Sequence, residues 1–134
     1  MSKKYILTNK AQYAHGILVY QIQALRDFEK VKKGDLGGYV QNEANLSQGD
    51  DDSWVYDHAK VFGNAKVSQN GKVYGGVEVF ENAIVKENAI VKENAKLSGN
   101  VEISGHTKIS GFAQISGSAK FSGYTELSGN AQIN

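Results

Sequence analysis

The 134-residue sequence contains no cysteine and no proline. The first absence removes disulfide scaffolds, cysteine-ligated zinc and thiol nucleophiles, and is compatible with a reducing compartment. The second means that every turn must be made without proline. Glycine, present 15 times, and asparagine are the residues that best tolerate a positive φ. An excess of one charge is also missing: 15 Lys and Arg stand against 14 Asp and Glu, for a net charge of +1. That balance argues against a strongly basic nucleic-acid binder and against an acidic nucleic-acid mimic, so direct nucleic-acid binding is not expected. No stretch approaches the roughly 20 apolar residues of a membrane span. The opening, MSKKYILTNKAQYAHG, has no apolar run of signal-peptide length, so no membrane association is expected. A chain of this length suits one domain with its own core.

What the sequence does have is a six-residue beat. Bulky apolar residues recur at Val55, Val61, Val67, Val73, Val79, Val85, Val91, Leu97, Ile103, Ile109, Ile115, Phe121, Leu127 and Ile133. Two places before each stands a small or β-branched residue, from Ser53 and Ala59 to Thr125 and Ala131. Residues two apart share one face of a strand, so each unit reads as a short strand with its small and bulky members facing inward. The pair that follows, such as Gly63-Asn64, Glu81-Asn82 or Gly99-Asn100, reads as a corner. Gly38/Val40 and Ala44/Leu46 extend the beat upstream. Between Leu46 and Val55 it is broken by three extra residues within SQGDDDSW, which reads as a loop extruded at a corner.

This pattern resembles the hexapeptide-repeat family, whose motif is an aliphatic residue with a small residue four places on, as in VFGNAK (Val61, Ala65) and ISGSAK (Ile115, Ala119). The resemblance covers residues 36–134. It implies an all-β fold, a left-handed parallel β-helix with three hexads per triangular coil and about five coils. The outward residues agree with 18 per coil: Lys60, Glu78 and Lys96 form one ladder, Glu102 and Lys120 another, Lys108 and Glu126 a third. Opposite charges then meet across neighbouring coils. Asn64, Asn82 and Asn100, and likewise Asn70 and Asn88, are expected to stack and bond side chain to side chain.

Residues 1–35 read as a capping segment on this solenoid, a small β or α+β cap. KYILT and GILVYQIQAL read as strands or one hairpin, with Tyr5, Leu7, Leu18, Tyr20 and Ile22 covering the first coil. RDFEKVKKGD is polar and charged and reads as a helical turn. DLGGYV reads as the turn entering the first coil rather than a phosphate cradle. The stretch IQALRDFEKVKKGDLGGYVQNEANLS, followed by WVYDHAKVFGNAKV, is similar to a group of small phage and prophage proteins that lead into hexapeptide-like repeats. That similarity implies genomic context more than an activity, and places the protein in the cytoplasm of a bacterial host. Phe121, Leu127 and Ile133 in the last coil are the expected contact with a second copy, as a homodimer.

Hexapeptide-repeat proteins include acyltransferases, which use a histidine, and carbonic anhydrases, which need three histidines on zinc. Here His58 and His106 are 48 residues apart and fall on different corners, so no metal site is expected. His106 is the one candidate general base for the acyltransferase alternative, yet the only insertion is three residues long. No nucleotide-binding or nucleophile-elbow motif is present. No catalytic, cofactor-binding or metal residues are therefore expected. The expected function is a non-enzymatic, rigid protein-binding surface that inhibits a host protein, in the manner of anti-defence or anti-CRISPR proteins. The alternatives are a hexapeptide acyltransferase and a structural element of a phage assembly. The partner-binding candidates are the aromatic residues Trp54, Tyr56, Phe62, Tyr74 and Phe80, and the acidic loop Asp50, Asp51 and Asp52. A ring of Glu81, Glu87 and Glu93, beside Lys86 and Lys92, reads as locally neutralised surface.

Overall fold

A computed structural model describes residues 3–134. Two long strands, β1 (Tyr5–Ala14) and β2 (Ile17–Ala24), form an antiparallel hairpin, and β3 (Leu36–Val40) opens the solenoid. Fourteen two-residue strands follow at six-residue intervals, from Trp54–Val55 to Gln132–Ile133. They stack in parallel with a register of 18, as in Lys60↔Glu78 and Lys96↔Gln114, and so build three walls. Wall I has eight strands and includes the hairpin at its edge; walls II and III have five and four. At about 4.8 Å per coil, about five coils make a prism on the order of 25 Å long.

The beat places the bulky residues inward as expected: every one from Val55 to Ile115 is at most 1% exposed. Upstream of the extruded loop the register widens from 18 to 21, with Val40 opposite Val61 and Leu46 opposite Val67. The three extra residues are thus absorbed without disturbing the inward columns. The Ala44/Leu46 unit departs from the pattern. Ala44 is exposed within a single 3-10 turn, Glu43–Asn45, and Asn45 is buried in its place. The Asn45 amide donates to the carbonyls of Gly63 and Ala65, at 3.2 and 2.9 Å. A polar side chain is accepted there because both of its donors find carbonyls.

Each corner is made by one residue in the left-handed region. From Asp57 to Gly129, all thirteen residues on the beat have φ between 56° and 77°. Eight are glycine, which adopts this conformation without penalty. The other five are Asp57, Gln69, Glu81, Glu87 and Glu93. In each of these five the side chain accepts a hydrogen bond from the backbone N–H of the equivalent residue one coil on. The acceptors of Asp57, Gln69, Glu81, Glu87 and Glu93 lie 2.9, 2.8, 2.8, 2.8 and 2.6 Å from those nitrogens. A non-glycine residue costs roughly 1–2 kcal/mol in this conformation, and the side-chain hydrogen bond recovers about 1 kcal/mol of it. The asparagines do less than their stacking suggests. Asn70 donates to Asn88 at 3.3 Å, whereas the Asn64, Asn82 and Asn100 column forms no side-chain hydrogen bonds among the described residues.

Two features of the cap differ from the sequence reading. RDFEKVKKGD forms no helical turn. Phe28 and Val31 bond backbone to backbone around Glu29, at φ 48°, and both drop into the core. Apolar residues three apart on a tight turn can plug an opening without a helix. Gly37 and Gly38 lie within β3, not in a turn. A Cβ on Gly37 would meet Trp54 Cζ2 at 2.8 Å and the Val55 carbonyl at 2.6 Å. Close packing against the first coil therefore requires these glycines.

Substitutions at Glu87 should form an ordered series. Glu87→Gln keeps the acceptor and leaves stability unchanged. Glu87→Ala keeps the strained φ but loses the bond to Gly105, at a cost of about 1 kcal/mol. Glu87→Gly loses the bond and the strain together and falls close to wild type. Urea unfolding midpoints at constant m-value check the order.

Candidate functional site

Several of the residues singled out in the sequence, Asp51, Trp54, Phe62 and Phe80, meet on one seam between the hairpin and the first two coils. The acidic loop does so through Asp51. Lys4, fully buried at the base of the hairpin, donates to Asp51 Oδ1 at 2.8 Å, to the Ser53 carbonyl at 2.7 Å and to Ser53 Oγ at 3.0 Å. Its three donors are thus satisfied, and the ammonium also stands 5.2 Å from the centre of the Phe28 ring. Burial pushes the Lys4 ammonium below its usual range, and Asp51 only partly pulls it back. Burial alone would raise the Asp51 carboxyl. The hydrogen bonds from Lys4, Ser47 and Ser53, with the Lys4 charge, outweigh it and hold the group below the usual carboxylate range. The other Asp51 oxygen accepts from the Gln69 N–H at 3.0 Å. Asp50 is almost fully exposed, with Arg26 at 3.5 Å, and Asp52 is half-buried.

The aromatic candidates divide in two. Trp54 is 1% exposed and packs edge-on against Tyr5 and Phe28, closing the end of the prism. Phe62 is also 1% exposed. Phe62 and Phe80 stack at 5.2 Å on the corner beyond wall I, and the tip of the hairpin lies on them. His15, at that tip, stacks on Phe80 at 5.0 Å and meets Glu78 at 2.9 Å. Ala14, Ile17, Val19 and Tyr39 complete this second apolar cluster. The tip is a two-residue turn, His15-Gly16, with φ of 51° and 80°, the pairing that matches strand twist in a tight hairpin. The sequence marked the aromatic column but gave no sign that His15 would close over it.

Tyr56 and Tyr74 form the other column, stacked at 4.3 Å and half-buried. Burial, followed by the neighbouring Tyr74 and Glu29, raises the Tyr56 hydroxyl above its ordinary range. Beside this column lies a shallow groove of about 480 Å³ lined by Tyr74, Gly75, Ile90 and Lys92, together with Asp57 and Glu93. Ile90, and Ile84 on wall III, take outward positions that are charged in most of the other repeats.

The remaining charges act between coils. Glu78 is shared by His15 and Lys96, and Glu102 by Lys86 at 3.3 Å and Lys120 at 3.5 Å. Lys60 leaves its ladder and stands over the Tyr39 ring. The Glu81, Glu87 and Glu93 ring is occupied in corner hydrogen bonds rather than in neutralising Lys86 and Lys92. His106 is exposed on its corner and stacks on Tyr124 at 4.8 Å. His58 is exposed on another corner. Among the described residues no three metal-ligating side chains cluster, and no helix is long and apolar enough to cross a membrane. Of the cap residues, Tyr5 and Ile22 are fully buried and Leu7 packs beside them. Leu18 and Tyr20 are half-buried and stay outside the core. In the last coil Phe121, Leu127 and Ile133 pack on the core and are partly exposed.

No family model matches the chain, and neither does any curated protein. The structure nonetheless accounts for the IQALRDF…GDLGG…NLS stretch residue by residue. Ile22, Phe28 and Leu46 fill the end of the core, Arg26 donates to the Gly49 carbonyl, the glycines admit Trp54, and Asn45 ties the first coil to the next. The stretch encodes the closure of the solenoid.

Acid should weaken this seam. A carboxyl held below its unfolded value contributes stability in full above that value, about 3.9, and loses it as the pH falls through the folded pKa. Asp51→Asn should therefore lower Tm at pH 7, and the gap to wild type should narrow progressively as the pH falls below about 3.9. Thermal melts of both proteins across that pH range check this.

Proposed function

We propose that the protein is a non-enzymatic binding module. It presents a rigid surface to a host protein and inhibits it, as a phage or prophage anti-defence factor acting in the bacterial cytoplasm. One observation carries the reading: the hairpin is far more firmly anchored than a plug requires. A buried lysine, an aspartate loop, an aromatic column and a histidine clasp all hold it in one orientation. Fixing a surface before it meets its partner removes part of the ordering cost of association. The similarity of the N-terminal segment to phage proteins supports the context. Histidine chemistry is not favoured, since His106 and His58 stand exposed on separate corners.

Self-association through the coil of residues 117–134 belongs to the same proposal. Phe121, Leu127 and Ile133 are the partly exposed members of the inward column, and their strands are sheet edges. A second copy stacked there by a two-fold axis would pair those edges.

Affinity capture from bacterial host lysate tests the main reading. One host protein should be retained at stoichiometric level, and its activity should fall as the module is added. Capture of nothing specific sinks it. Light scattering at micromolar concentration should report twice the chain mass, and a monomer would remove the self-association.

A further inference from the structure

The hairpin is longer than the closure needs. β2 pairs with β3 only from Tyr20 to Gln23, while the hairpin runs on to its tip at His15-Gly16. Strand alternation fixes where its backbone groups point. Ala14 and Ile17 flank the two-residue turn, so Ala14 and Gln12 bond inward to β2, and Ala11 and Tyr13 face the other way. The same alternation holds at the far end of β1, where the Tyr5 N–H and carbonyl point outward and are taken up by the Gln48 amide at 3.1 and 3.0 Å. Among the described residues nothing takes up the N–H groups of Ala11 and Tyr13. A register shift between Leu7 and Ala11 separates the occupied part of the edge from the open part.

The side chains follow the same rule. Ala14, Ile17 and Val19 turn toward Phe62 and Phe80. Ala11, Tyr13, Leu18 and Tyr20 therefore share the opposite face, as the cross-strand pairs Tyr13↔Leu18 and Ala11↔Tyr20. Tyr13 is 72% exposed, Ala11 is exposed, and Leu18 and Tyr20 are half-buried. An open edge and an apolar face thus coincide on the clamped outer half of the hairpin.

Charge completes the pattern. Residues 3–26 carry Lys3, Lys4, Lys10 and Arg26 and no acidic residue. Lys3, Lys4 and Arg26 are spent on Glu43, Asp51 and Asp50. Lys10, beside the open edge, has no ion-pair partner among the described residues.

We propose that the outer edge of β1 at Ala11–Tyr13 is a docking site for an extended segment of a partner protein. The segment adds as a further strand, lays an apolar side chain on Tyr13 and Leu18, and sets a carboxylate against Lys10. This is strand addition to a sheet edge, in which main-chain bonds hold the segment and alternate side chains select it. It rests on the protein-binding reading above and assigns that reading a surface and a ligand chemistry.

The test titrates the isotope-labelled full chain with two blocked peptides, EVTVTVE and KVTVTVK. The acidic peptide should shift the Ala11 and Tyr13 amides and bind about threefold or more tightly than the basic one. Tyr13→Pro removes an outward N–H without touching the β1–β2 ladder and should abolish the shifts. Leu18→Gln, which leaves the backbone intact and adds no charge, should weaken them in the same direction. Shifts elsewhere, or equal binding of both peptides, overturn the proposal. So do Ala11 and Tyr13 shifts that track protein concentration without peptide, because a second copy then fills the edge. Host-protein capture that survives Tyr13→Pro overturns this site and leaves the protein-binding reading standing. Peptide binding at the edge without any host capture supports the site and removes that reading.

Discussion

The chain must turn a corner every six residues, and each corner requires one residue in the left-handed region. Everything else in the solenoid follows from how that requirement is met. Where glycine stands, the corner forms without strain but offers nothing to its neighbour. Where Asp, Glu or Gln stands, the side chain bonds to the next coil's backbone and compensates for its own strained φ. The two solutions are unevenly distributed. Side-chain staples lie over the first coils, and glycine takes every corner from Gly99 onward. The stapled part is also the part on which the hairpin is anchored.

Much of this was legible in the sequence, for a physical reason. Periodicity reports which residues must share a face, so Val55 through Ile115 were placed correctly by spacing alone. Cross-coil pairs such as Glu102 with Lys120 followed from the 18-residue register. Hydrogen-bonding roles were less legible. The glutamates before Asn82, Asn88 and Asn94 looked like surface charge, because nothing in a letter reveals that its backbone sits at positive φ. Asparagine, the more familiar residue for that conformation, drew attention to the wrong member of the corner pair.

The cap was the hardest part to read. It has no repeat, and its contacts span about forty residues of sequence, as Lys4 to Asp51 and Tyr5 to Leu46 show. An aspartate run between two repeats reads as a solvated loop until a buried cation is found opposite it. A lone histidine in the tight His15-Gly16 turn reads as surface until the hairpin is laid on Phe62 and Phe80. The result is a molecule with a uniform scaffold and one elaborated end. Trp54, Phe62, Phe80 and Asp51, read from sequence as a partner surface, hold that end in place, and they leave free the outer half of the hairpin and the groove beside Tyr74.

The central claim is that side chains at the corners, rather than stacking alone, fasten one coil to the next. Residue-resolved amide hydrogen exchange tests it most directly, because the claim predicts an alternation that a simple gradient of stability cannot produce. The N–H groups of Glu87, Gly99, Gly105 and Gly111 each have a side-chain acceptor one coil back. Those of Glu81 and Glu93 follow glycine corners, Gly63 and Gly75, and have none among the described residues. Slow exchange at the first four with fast exchange at Glu81 and Glu93, interleaved along the same coils, is the predicted result. Equal protection across all six, or protection that declines smoothly along the chain, would contradict the account.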